Sequence, residues 1–371
     1  MEARIERLRV AAYSIPTDAP EADGTLAWQR TVLVTVEASS GDETGLGYTY
    51  ADAATASLLQ STLSSIILGR DACAPTAAYD AMLRAVRNLG RDGIAAMAVS
   101  AADIALWDLK AKLLSLALFE LLGPIRSRVG IYGSGGFTSY DEGRLKEQLG
   151  GWAERGISAV KMKVGTHPDR DVERVRQARS AIGDDCELFV DANGAYSRKQ
   201  ALALADHFAD SGVTWFEEPV SSDDLQGLAL LVQRMPAALE VAAGEYGYDA
   251  RYFERMLTAR AVDVLQADAT RCGGVTGFSR AAVLCDVHQV PLSCHCAPAL
   301  HTHLGCAASA VRHLEYFHDH VRIERLLFDG VVEPRHGCLE PDRTRPGLGL
   351  QLRRADAERF LIAEWKTGDD R

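Results

Sequence analysis

The chain has 371 residues, 47% hydrophobic and 25% charged, with a formal net charge of −11. That is enough to bury more than one ordinary core, and an acidic balance of this size disfavours nucleic acids and anionic membranes as partners, since both demand clustered Lys and Arg. No apolar run approaches the roughly 18 residues of a membrane span, and the opening MEARIERLRVAAYSI lacks a secretory signal's basic start and apolar run. A cytoplasmic enzyme acting on a small molecule is expected, with its eight scattered Cys reduced.

Taken in order, TVLVTVEASSGDETGLGYTY reads as two strands around a Gly-Asp turn, and Asp52 to Leu122 reads as helical until Gly123-Pro124 stops it. Residues 1–125 therefore form a small α+β domain. From 126 to 323 the texture becomes short apolar strands alternating with amphipathic helices. The strands are IYGSGG, AVKMKVG, ELFVDANG, VTWFEEP, EVAAGE, VDVLQAD, VPLSCHC and HLEYF, and helical stretches such as DVERVRQARSAIG and SRKQALALADHFADSG separate them. Eight strands with seven intervening helices predict a parallel α/β barrel. Residues 324–371 begin Pro/Gly-rich (VVEPRHGCLEPDRTRPGLGL) and turn helical at RRADAERFLIAEW. They read as a return over the first domain or the barrel edge.

Barrel enzymes carry their reactive groups at the C-terminal ends of the strands. Here those ends bear Lys161 and Lys163, Asp191 and Asn193, Glu217 and Glu218, Glu245, Asp268, His295 and Glu315, spaced 20 to 28 residues from strand to strand. Each interval is about one βα unit, so the groups should ring one mouth. Residues two apart on a strand share a face, which lets Lys161 pair with Lys163 and Asp191 with Asn193. Three carboxylates from neighbouring strands, Asp191, Glu217 and Glu245, form a hard oxygen site suited to Mg²⁺. A Lys beside another cation and a metal is pushed toward neutrality, and a His oriented by a carboxylate is a second base. The combination suits removal of a proton α to a carboxylate, where metal and cations stabilise the enediolate.

The strings VKMKVG, VDANGAY, FEEP, AAGE, LQADATRCGG, CHCAP and HLEYF, in this order, resemble the mandelate racemase subgroup of the enolase superfamily over nearly the whole chain. The resemblance implies an α+β capping domain over a (β/α)7β modified TIM barrel, with capping loops near 14–28 and 45–50. It implies Asp191, Glu217 and Glu245 as Mg²⁺ ligands, Lys163 as the base on one substrate face, and Asp268–His295 as the dyad on the other. Lys161 would contact the substrate carboxylate, Asn193 a substrate hydroxyl, and protonated Glu315 would donate to a carboxylate oxygen. A homo-oligomer is also implied.

Blander readings compete at several positions. Glu218 and Asp249 read as solvated acids or supports for other side chains. The run Cys294-His295-Cys296 with His301 and His303 hints at zinc, but strand alternation turns both Cys away from His295 and no CxxC pair exists, so packing is the better reading. YGSGG lacks a phosphate-binding fingerprint and instead suggests close backbone approach to a ligand, with Ser134 facing its carboxylate. His313, His318, His320 and His336 have no inferable partner. Two bases allow dehydration of a sugar acid to a 2-keto-3-deoxy acid, racemisation or epimerisation of a 2-hydroxy acid, or cycloisomerisation; the expectation is dehydration, by association with the family. A non-catalytic enolase-fold binding protein is a further alternative. The stretch SIPTDAPEADGTLAW carries acids but no Lys or Arg, so a monocarboxylic sugar acid is expected, its hydroxyls read by acids and tyrosines such as Tyr48.

Overall fold

The computed structural model describes residues 3–367; the first two residues of the expected first domain and residues 368–371 of the expected C-terminal segment lie outside the described residues. The chain begins with three long antiparallel strands, β1 (Arg7–Ala22), β2 (Ala27–Ser40) and β3 (Glu43–Tyr50). The Gly41-Asp42 turn falls where the sequence puts it, while β1 is a strand that the sequence pattern does not announce. Segment 45–50 is not a loop: it is β3, buried along most of its length against a helix. The helical stretch comprises α1 (Ala54–Leu58), a π turn (Leu59–Leu63), α2 (Ser64–Ile67), α3 (Pro75–Ala85), α4 (Ile94–Leu113) and α5 (Leu118–Leu122). Helix α4 is apolar on nearly every face, as a helix packed between two layers must be. Its buried Asp103 accepts the Thr276 N–H and hydroxyl at 2.9 and 2.7 Å, tying this domain to the barrel.

The barrel strands are β4 (Val129–Gly135), β5 (Ala159–Lys163), β6 (Glu187–Asp191), β7 (Val213–Glu217), β8 (Glu240–Ala243), β9 (Val264–Ala267), β10 (Leu292–Cys294) and β11 (Val311–Phe317). They pair in parallel in sequence order, and β11 closes on β4 through Leu314↔Ile131. Between them run α6 (Glu142–Glu154), α7 (Pro168–Ile182), α8 (Arg198–Asp210), α9 (Leu225–Arg234), α10 (Ala250–Thr258), α11 (Gly274–His288) and α12 (Pro298–Ala307). Outward residues such as Val160 and Met162 join the main core under these helices.

Inward residues form two layers. Tyr132, Phe189 and Trp215 fill the lower barrel, with Phe189 and Trp215 stacked at 5.2 Å. Two residues further along the same strands stand Ser134, Asp191 and Glu217. The aromatic layer is a buried apolar floor beneath the charges, where electrostatic interactions are strong.

After β11, helix α13 (His318–Leu327) crosses the expected division at 323/324 and reaches back to the first domain: Glu324 accepts the Tyr48 hydroxyl at 2.7 Å, and the Arg322 guanidinium donates to Pro16 O at 2.6 Å. The C-terminal segment then adds β12 (Phe328–Asp329), β13 (Cys338–Leu339), β14 (Gln351–Leu352), α14 (Arg354–Ala357) and β15 (Leu361–Lys366). Strand β13 pairs with β4 of the barrel and β15 pairs antiparallel with β1, so the return touches both. The expected terminal helix holds through Phe360, α14 running on into a 3-10 turn (Glu358–Phe360), and fails only beyond it. Leu361–Lys366 gains more from extending the β1 edge, whose unpaired N–H and C=O groups it satisfies. No helix among the described residues is long and apolar enough to cross a membrane.

Candidate active site

The mouth of the barrel gathers the predicted groups. One carboxylate oxygen from each of Asp191, Glu217 and Glu245 lies within 4.8 Å of the others, and all three side chains are buried. Asp191 and Glu217 end β6 and β7. Glu245 follows Gly244, whose φ of +136° turns the chain out of β8 and whose Cβ, were there one, would sit 2.1 Å from Gln266 O. Only glycine fits there. All donors are oxygens; burial, with Asp191 close by, raises Glu217 against the opposing pull of Lys161. Such a set fits a small, hard divalent ion.

Lys161 Nζ lies 2.6 Å from both Glu217 oxygens and 2.8 Å from Glu315 Oε1. Lys163 pairs with Asp191. Burial lowers the basicity of both lysines, but Glu217 and Glu315 outweigh it for Lys161, and Asp191 does so for Lys163; both are raised. Here Asp191 faces Lys163 as a counter-ion and outweighs the opposing charge of the neighbouring Lys161.

Across the mouth, His295 Nδ1 is 2.9 Å from Asp268 Oδ2, and Nε2 is 3.2 Å from Glu245 Oε2. Burial disfavours the charged ring, yet Cys296, Glu245, Glu315 and Asp268 raise His295 well above the usual range; Asp268, also buried, is held low by His295 and Arg271. Glu315 departs from its expected protonated form. Despite burial, Lys161 and His295 hold it well below the usual carboxylate range, and it accepts from Ser134 Oγ at 2.6 Å and Cys296 N–H at 3.0 Å.

Asn193 sits at the mouth with φ +46° and its buried Oδ1 unpartnered, an acceptor left for a ligand. Ser134 faces Glu315. Tyr48 does not fit the expected role: it is fully buried in β3, its hydroxyl is taken by Glu324, and no face remains for a substrate. The turn at 23–26 does cover the mouth. A Cβ on Gly24 would lie 2.2 Å from Ala192 O, and Asp23 O accepts the Thr138 and Thr166 hydroxyls at 3.0 and 2.6 Å.

Three features escape sequence reasoning. Glu218 is buried, which removes the solvated alternative and leaves the supporting one, but its φ of +36° and unpartnered Oε1 are not foreseen. Arg271 stands 3.6 Å from Glu245 and 3.7 Å from Asp268. Cys296 does not face away from His295: β10 ends at Cys294, and φ of +52° at Cys296 and +40° at Ala297 breaks the alternation, bringing its Sγ 3.4 Å from His295 Nε2. Strained non-glycine residues thus cluster at this rim, as they do at functional sites. The remaining candidates are structural. Asp249 caps α10, His301 bridges Cys296 O and the Ala269 N–H, His303 contacts Leu348 O, and His320 stacks on Tyr50 at 3.4 Å. His313 packs among the barrel aromatics, His318 meets Asp18 at 3.1 Å, and His336 is exposed.

Residues 144–357 match the family described as enolase C-terminal domain-like, and residues 8–123 match the mandelate racemase/muconate lactonizing enzyme N-terminal domain. The chain is 32% identical over 365 residues to an L-talarate/galactarate dehydratase of Salmonella typhimurium, covering 94% of this chain and 89% of that protein. A crystal structure of that dehydratase with Mg and L-lyxarohydroxamate superposes with a TM-score of 0.91 at 30% identity, covering 100% of this chain and 95% of that one. A 3,6-anhydro-alpha-L-galactonate cycloisomerase of Streptomyces coelicolor is 33% identical, covering 94% of this chain and 97% of that protein. A mandelate racemase/muconate lactonizing enzyme-like protein from Rubrobacter xylanophilus superposes with a TM-score of 0.95 at 54% identity, covering 97% of this chain and 100% of that one.

Proposed function

The chain belongs to the mandelate racemase/muconate lactonizing enzyme family of the enolase superfamily, and from that premise we propose that it is a Mg²⁺-dependent sugar-acid dehydratase. The observation that carries this reading is the placement of Lys163 and the Asp268–His295 pair on either side of the buried Asp191, Glu217 and Glu245 cluster. Those three carboxylates would hold Mg²⁺, which when bound supplies positive charge to the carboxylate oxygens of the enediolate.

Lys161, already charged and anchored by Glu217 and Glu315, orients the substrate carboxylate. Lys163 removes the α-proton as the neutral amine, having released its own proton once Asp191 is engaged elsewhere and no longer stabilises the ammonium. His295, protonated and kept in register by Asp268, delivers a proton to the departing β-hydroxyl. Asn193 Oδ1 accepts a substrate hydroxyl. The covering turn brings Asp23 and no Lys or Arg, and Asp18 is already matched by Arg144 at 3.3 Å and His318 at 3.1 Å. This supports a monocarboxylic acid, one that offers no second carboxylate needing a cation.

The identity to a cycloisomerase supports a second reading, in which the same two groups move protons without losing water. The test is a panel of mono- and di-acid sugars incubated with Mg²⁺ and semicarbazide. A trapped 2-keto acid from a monoacid is the expected result. Faster turnover of a diacid would overturn the substrate class, and a product isomeric with its substrate would favour cycloisomerisation or epimerisation. We place the enzyme in the cytoplasm on the strength of its eight free cysteines, and as a homo-oligomer by family resemblance.

A further inference from the structure

We propose that His295 Nε2, Cys296 Sγ and Glu315 Oε2 form a second metal site, suited to Zn²⁺ or a similarly soft divalent ion, whose occupancy silences the His295 side of the active site. The three donors already have the spacing of a tetrahedral face. Cys296 Sγ lies 3.4 Å from His295 Nε2 and 3.4 Å from Glu315 Oε2, and Nε2 lies 3.6 Å from Oε2. Zinc bonds of about 2.3 Å to sulfur and about 2.0–2.2 Å to nitrogen and oxygen, at tetrahedral angles, require donors roughly 3.4–3.6 Å apart.

Each donor is also held for ligation. His295 turns its other nitrogen to Asp268 at 2.9 Å, the carboxylate–histidine arrangement that fixes the ring of a zinc ligand. Glu315 has Oε1 fixed by Ser134 at 2.6 Å and Lys161 at 2.8 Å, and its Oε2, which also accepts the Cys296 N–H at 3.0 Å, faces the thiol. Cys296 is brought in by its left-handed backbone, a conformation that a non-glycine residue adopts at some cost. Glu245 Oε2, 3.2 Å from His295 Nε2, is within reach as a fourth donor.

The mixed N, S and O set selects against Mg²⁺, whereas the neighbouring all-carboxylate set favours it. The two sites therefore sort ions by softness, and an ion on the second takes His295 and Glu315 out of use. The silencing rests on the proton-transfer role proposed for His295, though not on which acid is the substrate, while the thiolate band below reads the site without reference to activity.

The experiment uses enzyme saturated with Mg²⁺, titrated with Co²⁺ as a spectroscopic stand-in for zinc and then with Zn²⁺. Wild type should develop an intense near-ultraviolet thiolate-to-cobalt absorption that Zn²⁺ abolishes. Cys296→Ala and Cys296→Ser should lack it. Loss of a partner that merely orients a ligand costs about 10–100-fold in affinity, so removing a ligand should raise the Zn²⁺ concentration for half-inhibition at least about tenfold. Absence of the thiolate band in wild type would overturn the proposal. So would a band or a zinc sensitivity that survives unchanged in both variants.

Discussion

Both oxygens of the Glu217 carboxylate lie 2.6 Å from the ammonium of Lys161, so a lysine occupies the face of a residue read as a metal ligand. Removing one partner of a buried ion pair costs about 3–5 kcal/mol, because the other charge is left without compensation. Lys161→Met should lower metal-free stability by about that amount in urea denaturation, and added Mg²⁺ should recover part of it. A variant as stable as wild type without Mg²⁺ would contradict the pairing.

The carboxylate cluster predicts a ligand-linked melting temperature. An ion bound only by the native state at 100 times its Kd stabilises by about 2.7 kcal/mol. Mg²⁺ should raise the wild-type Tm, and Asp191→Asn or Glu217→Gln should abolish the rise. A rise retained in both variants would place the ion elsewhere.

Glu324 predicts a pH dependence that arises where α13 meets Tyr48 of the first domain. Burial pushes its carboxyl from 4.5 to about 8, against the opposing hydrogen bonds from Tyr48 and the Ala299 N–H. A folded pKa above the unfolded one means that the stabilisation is complete below pH 4.5 and is lost as pH rises toward 8. Glu324→Gln imitates the protonated form at every pH. Each tenfold change in proton affinity is worth about 1.4 kcal/mol, so the variant should gain on the order of 2–4 kcal/mol over wild type between about pH 5 and 8. Parallel stability curves for the two proteins would refute this.

Tyr48→Phe separates the two roles open to that residue. The variant removes one buried hydrogen bond and leaves Glu324 Oε1 without its donor, which should cost about 1–3 kcal/mol of stability. KM should stay within about twofold of wild type. A large KM increase at unchanged stability would return Tyr48 to the substrate pocket.

Most of the barrel is legible in the sequence because parallel strands buried on both faces, all but β4 bearing a titratable residue at or just past the C-terminal end, leave a strong pattern. Lys161 and Lys163 follow strict two-residue alternation inside β5, and the structure keeps it, whereas the expected pairing of Asp191 with Asn193 runs past the end of β6, where Asn193 takes a φ of +46°. The same rule fails at Cys296, one residue beyond His295, because alternation holds only while the backbone remains extended, and β10 stops at Cys294. The pairing of Leu361–Lys366 with β1 is hidden for a different reason: its partner is more than 340 residues away, and local propensity does not encode that contact. The counter-ions of Lys163 and Glu315, Asp191 and Lys161, are not legible because the sequence names charged groups without saying which opposite charge each will face.

The central claim, two proton-transfer groups facing each other across a metal-bound acid, is tested most directly by α-proton exchange with solvent deuterium in Lys163→Ala and His295→Asn. Each substitution should slow formation of the 2-keto acid by at least about 100-fold, the usual contribution of a positioned acid or base. His295→Asn should still exchange the α-proton, because Lys163 remains to remove it, while Lys163→Ala should not. Exchange and dehydration at wild-type rates in either variant would contradict the account.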